Sequence, residues 1–406
     1  YFEGWSSTKD VDRVLREHEF VYTRDLDIAQ VVDGKRQTLN PQGKAEADEV
    51  WGFHSRGASV RIKRPQEFSD TMWQLISLLE EHFGSGGGAN VYLTPAMSQG
   101  FAPHWDDIEA FIMQIEGKKK WKLYTPQEGE FLARPASSDL GRDELGQPDM
   151  AFEVEPGDLV YFPRGWIHEA VGQEQGSVHV TVSCAQRHSW QDLLQHALPV
   201  ALAQASEENV AFRRALPRDF SQYMGIVHDD GDAEDDDDGD GDGTDKADPK
   251  AQNRNQFAET GAALMELLMD HLPLDGAADK MAQTYLRDRL PPFTLPEEST
   301  MLVGGSAAPQ KLRQDTSLKL RRGDAARLVL EQDAVVIYHA YENSRVYHEN
   351  PLAELRFDPD LGPGLEFVLK SHPAWFTVAE IPLETKKERL VVAEALFEAK
   401  ILLARA

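Results

Sequence analysis

The sequence predicts an α+β multidomain chain: a β-barrel or sandwich first, a helical segment next, and a winged-helix-like module last. Three observations predict it. Residues 1–190 hold short apolar runs punctuated by Gly and Pro, such as 89–93 and 158–162, the pattern of many short strands. From Trp190 onward, Leu193, Leu194, Ala197 and Leu198 recur at helical spacing. Residues 276–406 mix helical stretches with a strand-like pair. A length of 406 residues also suits two or three domains.

In chain order, one helix interrupts the first region. Met72, Leu75, Ile76 and Leu79 give residues 71–83 an apolar helical face. In the second region, residues 191–275, Pro199 is expected to break the helix that begins at Trp190. Val210, Phe212, Leu216 and Phe220 extend the helical pattern over 207–224. Residues 226–255 are nearly devoid of apolar side chains, and ten of the fourteen residues at 229–242 are Asp or Glu. A solvated, disordered insert is expected there; it lacks the spaced ligands and distal Glu of a calcium loop. A helix resumes over 257–272. In the third region, residues 333–338 and 345–348 flank Glu342-Asn343-Ser344 and read as a hairpin. Residues 387–403 read as an amphipathic helix. No internal repeat is visible.

Composition narrows the class. The chain is 41% hydrophobic and 27% charged, as ordinary globular proteins are. A single cysteine, Cys184, rules out an internal disulfide framework and fits a reducing compartment. No apolar run reaches the roughly 18 residues a membrane span needs. The chain opens on Tyr1-Phe2-Glu3 rather than Met, so it reads as part of something longer. Its net charge is −27, and −17 without the ten acids of the insert. A duplex nucleic acid is therefore an unlikely main partner, and a basic protein suits the field better.

One constellation carries chemistry. Non-haem iron oxygenases hold Fe(II) with two His and one carboxylate on one face. On a barrel strand, a His and a carboxylate two residues apart point the same way. His104-Trp105-Asp106 has that form. With 13 His and 69 acids, about two such pairs arise by chance, and the other is His228-Asp229-Asp230. Context favours His104: it follows Gly100-Phe101-Ala102-Pro103 and precedes the apolar run 110–113, whereas His228 opens the acidic tract. The distal ligand needs a His after another strand. Residues 158–168 end on His168, past the turn Pro163-Arg164-Gly165. His179, inside the apolar strand 178–182, is the rival, and reads better as a core residue. Parity in 117–124 puts Lys118, Lys120 and Lys122 on one face, and Lys119 inward with Trp121 and Leu123. A buried ammonium needs a partner, which a carboxylate co-substrate would supply. No nucleophile elbow, phosphate loop, dinucleotide fingerprint or zinc-type Cys cluster is present.

These segments resemble the JmjC-domain ribosomal oxygenases. The resemblance rests on residues 90–95, 99–111 and 161–168, and continues through 207–214 and 342–348. It covers nearly the whole chain except the acidic insert. It implies a JmjC double-stranded β-helix (cupin-like) barrel over 1–190, a helical dimerisation domain over 191–275 interrupted at 226–255, and a winged helix over 276–406. It implies Fe(II) held by His104, Asp106 and His168, 2-oxoglutarate bound by Lys119, and O₂. Arg61, Asn90, Tyr92 and Ser183 match positions of the substrate groove. Asp139 stands where the family has an Asn in a substrate loop. The implied reaction is hydroxylation of the β-carbon of a histidine in a ribosomal protein, by a nuclear, nucleolar homodimer. Two other functions remain open at this point. N-methyl-lysine demethylation of histone tails uses the same iron chemistry, and an acidic scaffold for basic proteins would need no chemistry at all.

Overall fold

The computed structural model describes residues 6–126, 131–184, 187–228 and 249–405. The chain divides into two compact units, Tyr1–His188 with Ala282–Ala406, and Ser189–Met281.

The first unit is built on an eight-stranded antiparallel sheet. Its order is Lys35–Thr38, Leu26–Val32, Ser59–Lys63, Gly88–Thr94, Ile167–Cys184, Glu109–Tyr124 and Met150–Val154, with Leu159–Phe162 also paired to Glu109–Tyr124. Two strands of 16 and 18 residues form its spine. They bend where Gly117 faces Ser177, beside a register shift between Gly172 and Ser177. Gly117 has φ +63, and a Cβ there would lie 2.1 Å from the Gly176 carbonyl oxygen. Left-handed backbone disfavours any Cβ, and this one has no room. Gly117→Ala is expected to destabilise the fold by about 3 kcal/mol, read as a lower urea midpoint with an unchanged slope.

The helix Asp70–Phe83 forms where expected. Ser69 caps it by accepting the Met72 amide, and Gly84, at φ 63, ends it. Met72 and Ile76 join the sheet's core with Phe20, Leu26, Ile28, Val91 and Val180. The helix also meets the C-terminal module of the same unit. Trp73 Nε1 donates to Pro291 O (2.7 Å), Ser77 Oγ accepts from Phe293 N (3.0 Å), and the buried Glu80 accepts from Leu290 N (3.1 Å).

That module holds two three-stranded sheets, Trp375–Thr377/Ser317–Leu320/Leu402–Arg405 and Ala326–Leu330/Val335–His339/Ala353–Phe357, with helices Gly362–Lys370 and Lys386–Glu398. Leu318, Ile337, Leu365, Val392 and Leu396 form its core, and the winged-helix architecture expected of it is present. Two local expectations are corrected. The strand Val335–His339 pairs with Ala326–Leu330 and Ala353–Phe357, not with 345–348. The latter residues form a turn, because Arg345 is drawn away to Gln66 O and Asp70, both at 2.7 Å. The last helix stops at Glu398, since Lys400 takes φ 61 and Leu402–Arg405 is a strand.

The second unit, considered alone, contains the helices Trp190–Glu208 and Pro249–Met269. Pro199 lies inside the first helix rather than breaking it. Ala197, Ala201 and Ala205 repeat every fourth residue and are fully buried, and Ala201 and Ala205 pack close against Leu268. Residues 210–222 form two short 3₁₀ turns instead of a helix. The insert expected over 226–255 is shorter than that at its far end, because 249–255 are already helical with Pro249 at a first-turn position that tolerates it. Residues 229–248 lie outside the described ones. No described helix is long and apolar enough to cross a membrane.

Candidate metal and co-substrate site

His168 is the second residue of the strand Ile167–Cys184. His104 and Asp106 were expected on a regular strand, and here the structure differs. They sit in an extended segment ahead of Glu109–Tyr124, pinned by a single bridge. His104 N donates to His168 O (3.3 Å), His168 N to His104 O (2.9 Å), and Gly165 N to Asp106 O (3.0 Å). These bonds keep the backbone extended, so the i and i+2 side chains still point to one side.

The three side chains converge. Asp106 Oδ2 lies 3.8 Å from His104 Nε2 and 3.7 Å from His168 Nε2. Among the described residues they are the group of His, Cys, Asp or Glu whose ligand atoms could share one ion, all within 4.8 Å. Both imidazoles turn Nδ1 to a backbone carbonyl, His104 to Ala102 (2.8 Å) and His168 to Trp166 (3.1 Å). This places the proton on Nδ1 and leaves each Nε2 lone pair facing the carboxylate. Burial, then the neighbouring His104, pushes the His168 imidazolium down to about 4, so at neutral pH it is a neutral base. Two imidazole lone pairs and one carboxylate, with the remaining side open, fit a divalent iron.

The triad lines a cleft of about 230 Å³ together with Arg36, Arg61, Tyr92, Phe101, Lys119, Trp121, Asp139, Glu169 and His179. Lys119 is 6% exposed, as strand parity requires. Its Nζ meets Thr94 Oγ1 at 3.2 Å and His179 Nδ1 at 3.5 Å, and among the described residues no acid pairs with it. Burial pushes the ammonium down to about 7. His179 is not part of the triad. It stacks on Tyr92 with centroids 4.7 Å apart and forms a wall behind Lys119.

Of the groove residues, Arg61, Tyr92 and Asp139 reach the cleft, and Asn90 and Ser183 do not line it. Ser183 Oγ donates instead to Gly88 O at 3.3 Å. Arg61 is braced by an ion pair with the buried Asp27. Sequence reasoning missed Arg36, Phe101, Thr94 and Glu169. Thr94 had a signal, since it shares strand parity with Tyr92. Arg36 had none, because it arrives from another strand and rests 4.3 Å from the Phe101 ring. Burial would raise the Glu169 carboxyl, but bonds from Arg142 and Tyr124 outweigh it and hold it down to about 2.

Comparison with known proteins agrees with this geometry. A JmjC domain family model matches residues 61–193, and the model of the ribosomal oxygenase 1 C-terminal winged helix domain matches residues 290–406. Ribosomal oxygenase 1 of Danio rerio is 40% identical over 410 residues, covering 98% of this chain and 72% of that protein. Ribosomal oxygenase 1 of Homo sapiens is 39% identical over 417 residues, covering 100% of this chain and 62% of that protein. A Dictyostelium discoideum protein described as a bifunctional lysine-specific demethylase and histidyl-hydroxylase is 38% identical over 397 residues, covering 96% and 74%. This chain therefore belongs to the ribosomal oxygenase 1 family of JmjC-domain proteins.

Proposed function

We propose that this JmjC oxygenase uses Fe(II), 2-oxoglutarate and O₂ to hydroxylate a histidine β-carbon in a ribosomal protein. The observation that carries the reading is the convergence of His104, Asp106 and His168 in one cleft with the buried Lys119. The three ligands would hold the iron, and Lys119 with Thr94 would take the far carboxylate of 2-oxoglutarate. Iron and co-substrate together supply the activation of O₂ and the transfer of one oxygen atom to a C–H bond, leaving succinate and CO₂. The protein orients and dries the site. Trp121 and Phe162 pack on His168 at 6.2 and 4.7 Å between centroids, which shields that ligand from water. Arg61, Tyr92 and Asp139 line the side from which a peptide enters.

A basic ribosomal protein suits a chain of charge −27, because opposite charge raises the encounter rate. Histone N-methyl-lysine is the second reading, supported by the bifunctional description of the Dictyostelium relative. The cleft favours histidine. A methylated ammonium needs free aromatic faces, and the Phe101 ring already has Arg36 at 4.3 Å and Arg61 at 5.4 Å. Mass spectrometry of ribosomal-protein and methylated histone peptides, incubated with the protein, Fe(II) and 2-oxoglutarate, tests the choice. Gain of one oxygen mapped to a His is the expected result. Loss of a methyl group from lysine alone would transfer the protein to the demethylases, and no succinate with any peptide would favour an acidic scaffold. A nuclear, nucleolar location belongs to the same reading and rests on the family alone.

The chain is also read as a homodimer through residues 191–275. In that unit Val200, Leu202, Met265 and Met269 are 51–66% exposed, more apolar surface than a solvated helix pair ordinarily shows. Light scattering on a gel-filtration peak is expected to give twice the 45.5 kDa chain mass, and a peak at the monomer mass alone overturns it.

A further inference from the structure

Asp139 reaches the cleft from the connection between the strands Glu109–Tyr124 and Met150–Val154, whose described part holds one 3₁₀ turn, Arg142–Glu144. Among the described residues, two sets of polar attachments tie the part of this connection that reaches the cleft. The first joins it to the segment that bears His104. Ser137 N donates to Trp105 O (3.0 Å), Trp105 N to Ser137 Oγ (2.9 Å), Trp105 Nε1 to Pro135 O (3.2 Å), and Leu140 N to Pro103 O (2.8 Å). The second lies two residues past Leu140. Both Arg142 Nη atoms donate to the two oxygens of Glu169, the residue after His168.

We propose that Arg142 is a positioning residue, whose forked pair with Glu169 holds residues 131–141 across the cleft and so sets the affinity for the protein substrate. The proposal rests on the peptide-hydroxylase reading above. A planar guanidinium meeting a carboxylate through two parallel bonds fixes orientation as well as distance. The Glu169 side chain is 2% exposed, so it is a rigid anchor, whereas that of Arg142 is 54% exposed. Glu169 does not depend on Arg142 alone. Tyr124 Oη (2.8 Å), Gln99 Nε2 (3.2 Å) and Lys122 Nζ (3.4 Å) also donate to it. Removing Arg142 therefore leaves no orphaned buried charge. Its effect falls on the freedom of the connection, and a substrate that needs it ordered must then supply that order on binding.

The test compares the 406-residue chain, Arg142→Ala and Arg142→Lys. Hydrogen exchange read by mass spectrometry over 131–141 is expected to quicken by about tenfold in Arg142→Ala, with an unchanged melting temperature. The KM for the hydroxylated peptide is expected to rise by about tenfold, with kcat and the KM for 2-oxoglutarate unchanged. Arg142→Lys keeps the charge without the fork and is expected to fall between the two. Unchanged exchange overturns the proposal, as does quicker exchange that lowers kcat while leaving the peptide KM alone. If the wild-type chain modifies no peptide, the substrate reading fails, and the exchange comparison still decides whether Arg142 fastens the connection.

Discussion

Asp106→Ala is expected to abolish hydroxylation and succinate formation while leaving the fold intact. The side chain is 41% exposed, and the His104 and His168 imidazoles lie 3.8 and 3.7 Å from its Oδ2. Its backbone carbonyl, which accepts the Gly165 amide, survives in alanine. A half-exposed side chain with so few ties ordinarily changes stability by under about 0.5 kcal/mol. Metal affinity is another matter. The carboxylate is the one anionic donor in the set, and its loss is expected to weaken Fe(II) or Co(II) binding by more than about 100-fold, the upper range for disturbing mere supporting groups around a metal. Calorimetric titration with Co(II), beside a melting curve, separates the two effects. Retained hydroxylation in a folded Asp106→Ala protein would falsify the assignment of the triad.

Lys119→Met is expected to act in opposite directions on stability and on co-substrate binding. The folded chain binds the Lys119 proton only up to about pH 7, whereas the ordinary lysine value is 10.5. Between these values the unfolded chain holds more protons, so the stability of the ligand-free protein rises with pH across that window. Below pH 7 the full penalty is present, on the order of 5 kcal/mol. Methionine fills similar space without a charge. The variant is expected to melt at a higher temperature than wild type at pH 6.5, and to lose the upward slope of stability between pH 7 and 10. Its KM for 2-oxoglutarate is expected to rise by about 100-fold, because one partner of a buried charge pair is gone. In wild type that KM is expected to climb above pH 7, since the amine must first regain its proton. A Lys119→Met protein with an unaltered KM would remove Lys119 from the co-substrate site.

The residues proposed to perform the chemistry were legible because they obey local geometry. A His and a carboxylate two apart share a side in any extended backbone, and Lys119 follows from the two-residue period of its strand. Context alone chose His104 over His228, and His168 over His179. Legibility failed where distant chain decides. Residues 345–348 have strand-like composition, yet Arg345 bonds to Gln66 and Asp70, some 280 residues earlier. Pro199 stays inside a helix whose Ala201 and Ala205 are packed on Leu268, so tertiary burial overrides a local break. Arg36 and Glu169 reach the cleft from separate strands, and no spacing announces either. Asn90 and Ser183 match a motif, yet neither is among the residues that line the cleft.

The helix Asp70–Phe83 imposes a schedule on the birth of the enzyme. Its inner face is complete only when the Leu290 amide reaches Glu80, 210 residues later in the chain. At roughly 5–20 residues per second, the ribosome needs about 10–40 seconds to make that stretch. Before this interval ends the last barrel strand, which closes at Cys184, has been synthesised, yet Trp73, Ser77 and Glu80 wait for Pro291, Phe293 and Leu290. Every nascent chain thus spends about 10–40 seconds with this polar flank uncovered, and only a chain that reaches those residues can close it. A message truncated before residue 290 would yield a barrel that carries all three metal ligands and lacks the partner that seals their scaffold.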